Sequence, residues 1–448
     1  MIESESLLGH PTPEAIVAFH GGRPIAAATF VADVVQLAAR LPAGRYLVNA
    51  CADRYAFAVA FGAALVAGRV NLLPPSRVPS ASADLATRYP DHVVGCDGEP
   101  LAVFRVAVAM GDLPGAARHW PAPRIARDTT AAIAFTSGTT GVPQAQPKSW
   151  GSLVDGARGG RAGLRFADDA HDVALVGTVA PQHMYGLEST VLLALHGPFS
   201  ISAAHPLHPE QVAAELASVR GARVLVTTPA HLRALVASDV RLPALDRIVC
   251  ATAPLSGELA ANCEARFGAA VFEIYGCTET GQVAARRTID GDRWQALPGV
   301  SIEDRGGVFW AGGGHIAPPA PLADRLRLHG ATSFELLGRS GDLVNVAGKR
   351  QSLSALNSAL LALDGVVDGA FLVPDSGSGA QREARLMAFV VAPGRTRRDV
   401  LAQLRAQIDP AFLPRPLVLL DALPRNATGK LPRAELVALA RKHGERRA

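Results

Sequence analysis

The chain has 448 residues, of which 49% are hydrophobic, 5% aromatic and 19% charged, a balance that excludes a disordered, collagenous or disulfide-scaffold protein. At roughly 100–200 residues per domain this length provides for two to four structural units. The net charge of +4 is too small over 448 residues to argue for nucleic acid. It is uneven, however: residues 395–448 carry 12 basic and 5 acidic side chains, a surface for something anionic or simply a solvated helical end.

The basic residues are 40 Arg and only 4 Lys, at Lys148, Lys349, Lys430 and Lys442. A GC-rich genome explains the bias, but not where the four lysines fall. Cys51, Cys96, Cys250, Cys263 and Cys277 show neither paired nor metal-type spacing, which predicts a reducing, cytoplasmic setting. The first residues lack the basic start and apolar run of a signal peptide. The apolar run 56–68 is too short to span a bilayer and predicts a buried helix, so no stable membrane insertion is expected.

In chain order, the apolar stretch Ala131–Phe135 leads into Thr136-Ser137-Gly138-Thr139-Thr140-Gly141-Val142-Pro143. Glycines let backbone amides turn toward a ligand and hydroxyls add donors, so this segment reads either as a phosphate cradle or as a polar turn after a strand. It is not a Walker loop, because no Gly-Lys-Ser/Thr closes it. From Val173 onward, short apolar runs alternate with helical spacing. Strands are predicted at 173–177, 223–226, 247–250 and 271–274, and helices at 211–219, 230–237 and 257–267. This is the pattern of a mostly parallel, helix-covered sheet, whose ligands bind at the carboxyl ends of the strands. Four loops converge there, beginning at Pro181, Thr227, Ala251 and Tyr275.

The block Tyr275-Gly276-Cys277-Thr278-Glu279-Thr280-Gly281 offers an aromatic face, hydroxyls and one carboxylate. That set suits a base, a phosphate and a divalent cation, and it also suits a strand-ending turn. In Pro181-Gln182-His183-Met184-Tyr185-Gly186, His183 either lines a pocket or is a structural histidine. Glycine-rich punctuation over 304–314 and 338–348 predicts smaller antiparallel structure. A final unit follows, with strands at 369–373 and 386–391 and a helix at 400–408. Near its end, Pro424-Arg425-Asn426-Ala427-Thr428-Gly429-Lys430-Leu431-Pro432-Arg433 sets one lysine on a loop, a mobile point charge for phosphate chemistry or a solvated side chain.

The identity, order and spacing of these motifs resemble the ANL superfamily of adenylate-forming enzymes, which includes acyl- and aryl-CoA synthetases, peptide-synthetase adenylation domains and luciferases. The resemblance rests on TSGTTGVP at 136–143, PQHMYGLE at 181–188, Ala253-Pro254-Leu255 and YGCTETG at 275–281. It continues through Asp324, 14 residues before Gly338-Arg339, then the block 338–342, and Asn426–Lys430 with Arg433. It implies an α/β fold: a large N-terminal domain of helix-covered mixed sheets over 1–338, a hinge at 339–342 and a small α+β mobile domain over 343–448.

It also implies site roles. Tyr275, with Gly276, Ala253 and Pro254, would hold adenine; Thr278 would touch the α-phosphate; Glu279 would hold Mg²⁺. Asp324 and Arg339 would bind the ribose. Thr136, Ser137, Thr139 and Thr140, with Gly138 and Gly141, would hold the outer phosphates. Lys430 would bridge the carboxylate and α-phosphate, and His183 would border the acyl pocket. ATP, Mg²⁺ and a phosphopantetheine thiol, coenzyme A or an acyl carrier protein, are the implied cofactors and partners, together with a small carboxylic acid.

Four departures stand out. Gln144 occupies the usual place of a lysine, with Lys148 four residues later as the expected phosphate contact. Gly341 stands at the usual hinge side chain. Leu322-Ala323-Asp324 replaces Thr-Gly-Asp, and the region before residue 136 is short enough to predict a trimmed sheet layer. Met184, where amino-acid-activating relatives place an Asp, disfavours an amino acid. Met184, Tyr185, Leu187, Ala251 and Ala253 suit an aryl or medium-chain fatty acid. A nucleotide- or acyl-binding protein without catalysis is the alternative of another class.

Overall fold

The computed structural model describes residues 3–74, 85, 87–97, 107–109, 120–136, 144–167, 171–339, 343–346, 349–373, 386–426 and 431–445. Its largest element is an eleven-stranded sheet. From Ala270–Cys277 the strands run outward through Arg247–Cys250, Ala222–Thr227, Val173–Gly177 and Phe199–Ser202 to Ile16–His20, all parallel. Antiparallel strands flank this centre: Arg23–Ala26 on one side, and Gly281–Arg287, Arg293–Ala296, Ser333–Arg339 and Asp324–Leu328 on the other.

The central strand Val173–Gly177 is apolar throughout because both faces are covered. Successive side chains alternate between faces: Val173 and Leu175 join one core with Phe57, Phe61 and Trp150, while Ala174 and Val176 join another with Leu216, Leu232 and Cys263. The apolar run near residue 60 forms the helix Arg54–Val66, started by the Asp53 side chain accepting from the Ala56 amide at 2.8 Å.

A second sheet of six strands has the order Gln144–Ser149, Thr130–Thr136, Val70–Leu73, Tyr46–Asn49, His92–Cys96 and Ala107–Ala109. It is parallel except at its first pair. Five of its six strands come from the region up to residue 136. The glycine-rich stretch after residue 299 forms a three-stranded antiparallel sheet, Val300–Arg305, Val308–Gly313 and Ile316–Pro321, as predicted.

A C-terminal lobe packs its own core. Asp368–Leu372, Met387–Val391 and Leu417–Leu419 make a three-stranded sheet. Leu356, Leu360, Val400 and Leu404 cover one face, and Leu436 the other. No helix among the described residues is long and apolar enough to cross a membrane.

One sequence expectation needs correction. The strand predicted over 271–274 runs through Cys277, because Tyr275, Gly276 and Cys277 pair antiparallel with Ala284, Gln282 and Gly281. The motif is thus the tip of a hairpin. Gly276 is required there, since a Cβ would lie 2.2 Å from the Gly281 carbonyl oxygen.

Candidate active site

A pocket of about 180 Å³ opens at the carboxyl ends of the central strands, the place predicted for open α/β sheets. Its apolar lining comes from Leu73, Phe135, Met184, Tyr185, Ala251 and Ile274; Gln182, His183, Glu188 and Gln282 add polar groups. Gly276, Cys277 and Thr278 form its rim, and Asn426 reaches it from the C-terminal lobe.

His183 caps the turn Met184–Gly186, which continues as a π-helical segment, Leu187–Leu192. Such wide turns recur at functional sites because they rotate side chains away from helical spacing. Here the segment buries Glu188, Ser189 and Thr190. Tyr185 is pegged by its hydroxyl, placed to donate to the carbonyls of Thr227 (3.0 Å) and Val249 (2.9 Å). Leu187 belongs to the core rather than to the pocket wall.

Arg54 holds this end of the sheet together. Fully buried, it donates to the carbonyls of Gly177, Val179 and Ser202, each at 2.9 Å, and of Ala204 at 2.6 Å. Burial lowers its pKa to about 10, so it stays cationic at neutral pH. It fixes the loop that leads to His183.

Beside the pocket, Tyr275 anchors the group expected to hold a nucleotide. Its ring packs at 5.8 Å from Trp294 and 5.6 Å from Phe334, and its hydroxyl donates to Asp324 Oδ2 at 2.8 Å. Asp324 and Arg339 face each other across adjacent strands, so the structure gathers three residues expected to hold adenine and ribose. Ala251 and Thr252 line the pocket. Ala253 and Pro254 instead line a separate groove of about 670 Å³ between the lobes. Thr252 adopts φ +82°, a strained conformation for a β-branched residue.

Glu279 is exposed beside Thr278 at the hairpin tip. Among the described residues no cluster of three His, Cys, Asp or Glu forms a metal cage. Mg²⁺ bound to a nucleotide needs only one or two protein carboxylates, so Glu279 with its neighbouring hydroxyls fits that ion. Lys148 does not point into open cleft: its ammonium donates to the Glu279 carbonyl. Burial lowers its pKa, and Glu188, Cys277 and Glu279 oppose that effect.

Glu188, whose role the sequence did not disclose, is 3% exposed. Burial raises its pKa to about 7 against the pull of Lys148 and a hydrogen bond from the Gln282 backbone. Gly281, at φ +73°, makes room for it, because a Cβ there would lie 2.4 Å from Glu188 Oε1. The Thr136 and Arg339 backbones lie at strand ends. Ser137, Gly138, Thr139, Thr140, Gly141, Gly341 and Lys430 lie outside the described residues.

The AMP-binding enzyme family model matches residues 6–304, and the model of the AMP-binding enzyme C-terminal domain matches residues 355–430. A 4-coumarate–CoA ligase of Rhodobacter capsulatus is 30% identical over 290 residues, covering 63% of this chain and 69% of that protein. The human mitochondrial acyl-coenzyme A synthetase ACSM2A is 25% identical, covering 68% of this chain and 60% of that protein. An L-proline–[L-prolyl-carrier protein] ligase of Pseudomonas fluorescens is 27% identical over 76% of each chain. Among solved structures, ATP-bound MatB from Rhodopseudomonas palustris superposes with a TM-score of 0.80 at 22% identity over 96% of both chains. O-succinylbenzoate coenzyme A synthetase from Bacillus subtilis, in complex with AMP, gives 0.81 at 17% identity, covering 97% of this chain and 98% of that one. The family models cover both lobes: the chain belongs to the AMP-binding enzymes, within the ANL superfamily.

Proposed function

We propose that the chain activates an aryl or medium-chain fatty acid with ATP and passes the acyl group to the thiol of coenzyme A. The observation that carries this reading is the acid pocket: a small, mostly apolar chamber whose rim is the Tyr275–Thr278 hairpin and whose mouth receives Asn426. Met184 stands where amino-acid-activating relatives place an Asp, and burial holds the pocket carboxyl of Glu188 toward its neutral form, which favours an acid without an α-amine.

In the first half-reaction a carboxylate oxygen attacks the α-phosphorus of ATP. The bond from that phosphorus to the bridging oxygen breaks, and pyrophosphate leaves. Both reactants are anionic, so catalysis rests on positioning and charge neutralisation. Tyr275, with Gly276, packs on adenine; Asp324 and Arg339 hold the ribose hydroxyls. Thr278 holds the α-phosphate. Thr136, Ser137, Thr139 and Thr140, with the backbone of Gly138 and Gly141, hold the outer phosphates, and Lys148 braces the Glu279 turn. Glu279 would hold Mg²⁺, which when bound would supply positive charge to offset that of the phosphates. His183 borders the acid, and Lys430 bridges carboxylate and α-phosphate. In the second half-reaction the thiolate attacks the acyl carbon, the carbon–oxygen bond to AMP breaks and AMP leaves. The C-terminal domain, 343–448, turns about 339–342 between the two steps, withdrawing Lys430.

Lys430 tests the first step. Lys430→Ala is expected to slow adenylation by at least ~10²-fold, the scale of losing one preorganised charge donor. Lys430→Arg should lose activity as well, because a planar guanidinium does not replace a compact ammonium between two anions. Full pyrophosphate exchange in the arginine variant would contradict the assignment. A carrier-protein acceptor is the second reading, supported by the prolyl-carrier ligase relative. Mass spectrometry of the products formed with coenzyme A and with holo carrier protein separates the two.

A further inference from the structure

Three charged side chains meet at the seam between the lobes. Arg233 belongs to the core helix Pro229–Ala237, Asp368 opens the first strand of the C-terminal sheet, and Arg425 precedes the segment that carries Lys430. Arg425 grips Asp368 with a two-pronged fork: Nε donates to one carboxylate oxygen and Nη2 to the other, each at 2.7 Å. Arg233 Nη2 stands 3.9 Å from Asp368 Oδ1. The side chains of Arg233, Asp368 and Arg425 are only 15%, 17% and 19% exposed, so the charges are held where salt screens them little. The groove beside them is lined by Arg233, Pro254 and Glu258 from the core, and by Asn357, Asp364 and Arg425 from the C-terminal lobe.

The geometry has a directional consequence. A planar fork fixes the orientation of the guanidinium against the carboxylate, and with it the course of the main chain at residue 425. The next residue, Asn426, enters the acid pocket. Asp368 therefore grips the residue next to Asn426, which lines the pocket. Arg233 is the core's share of the cluster, and its contact exists only while the lobes stand in this relation. An ion pair confined to stability would have no reason to sit beside the residue that enters the pocket.

We propose that Asp368 and Arg233 are positioning residues for acid activation: Asp368 fixes the root of the Asn426–Lys430 segment, and Arg233 ties that root to the core. This deepens the proposed function and rests on Lys430 acting at the acid pocket. It predicts a selective defect, because adenylation needs the segment in the pocket, whereas transfer to a thiol starts from an adenylate already made.

Full-length Asp368→Asn and Arg233→Ala variants test it with two assays: acid-dependent exchange of pyrophosphate into ATP, and thioester formation from chemically synthesised acyl-adenylate and coenzyme A. The kcat for exchange is expected to fall ~10- to 10²-fold, the scale of a misplacement of about 1 Å, with KM for ATP and the thioester rate nearly unchanged. Arg233→Lys, which keeps the charge, should recover most of the exchange. Parallel loss of both half-reactions, or loss of neither, would overturn the proposal. Small-angle scattering of the substrate-free protein gives a readout independent of activity. Asp368→Asn should be more expanded than wild type, and an unchanged envelope overturns the tie between the lobes. Absence of exchange in the wild type, by contrast, would overturn the reading of the activity.

Discussion

Glu188 titrates inside the acid pocket, and its effect on stability has a definite sign. Its carboxyl ionises near 4.5 in an unfolded chain and at about 7 in the folded protein, because burial disfavours the charge. As pH rises from 4.5 to 7 the unfolded state loses its proton first, so the stability present at pH 4.5 is lost through this window and the penalty is complete above it. Glu188→Gln removes the penalty. The variant's stability relative to wild type should therefore grow between pH 5 and pH 8 by an amount on the order of 2–3 kcal/mol, measured by denaturant unfolding at both values. A difference independent of pH would contradict the assignment. The motif PQHMYGLE marks a pocket because His183, Met184 and Tyr185 stand together, but nothing in it announces Glu188. A glutamate in a helical run normally faces solvent, and only the π-helical turn Leu187–Leu192 rotates it inward. Thr252 was equally silent, because its left-handed backbone is imposed by the loop between the strand Arg247–Cys250 and the helix Gly257–Phe267 and not by its own preference.

At the scale of elements, the hairpin Ala270–Arg287 and the loop 251–255 form one braced unit. Glu273 accepts the Leu255 amide at 3.2 Å, Arg286 Nε and Nη2 at 2.9 and 2.6 Å, and the Thr288 hydroxyl at 3.1 Å. Arg286 in turn lies 4.6 Å from the centre of the Trp294 ring, which packs on Tyr275. One carboxylate thus supports both the Ala253-Pro254-Leu255 loop and the stack beneath Tyr275. Glu273→Gln should cost about 1–3 kcal/mol, because polar groups in this buried network lose their charged partner. It should also raise KM for ATP more than it lowers kcat, which steady-state kinetics at fixed acid would reveal; an unchanged KM for ATP would show the brace to be purely structural. The strands Val173–Gly177 and Arg247–Cys250 were legible residue for residue, since burial on both faces leaves an uninterrupted apolar run. The extension of the next strand through Cys277 was not. It depends on antiparallel pairing with residues 281–287, a partner that no local pattern in 270–277 identifies.

Across the whole molecule, two lobes with separate cores meet beside the acid pocket, and the C-terminal lobe contributes Asn426 to it. The sequence disclosed the family because its motifs keep their order and spacing around this cleft. The arrangement of Arg233, Asp368 and Arg425 at the seam was invisible to it, because those residues are far apart in the chain and ordinary in composition. The central claim is that this cleft joins a carboxylate to the α-phosphate of ATP. Acid-dependent exchange of labelled pyrophosphate into ATP by the wild-type protein, across aryl, medium-chain fatty and hydroxy acids, tests it most directly. Exchange is expected with at least one aryl or medium-chain acid and none without acid. Tight ATP binding with no acid-dependent exchange across the panel would contradict it and leave a nucleotide-binding protein without catalysis.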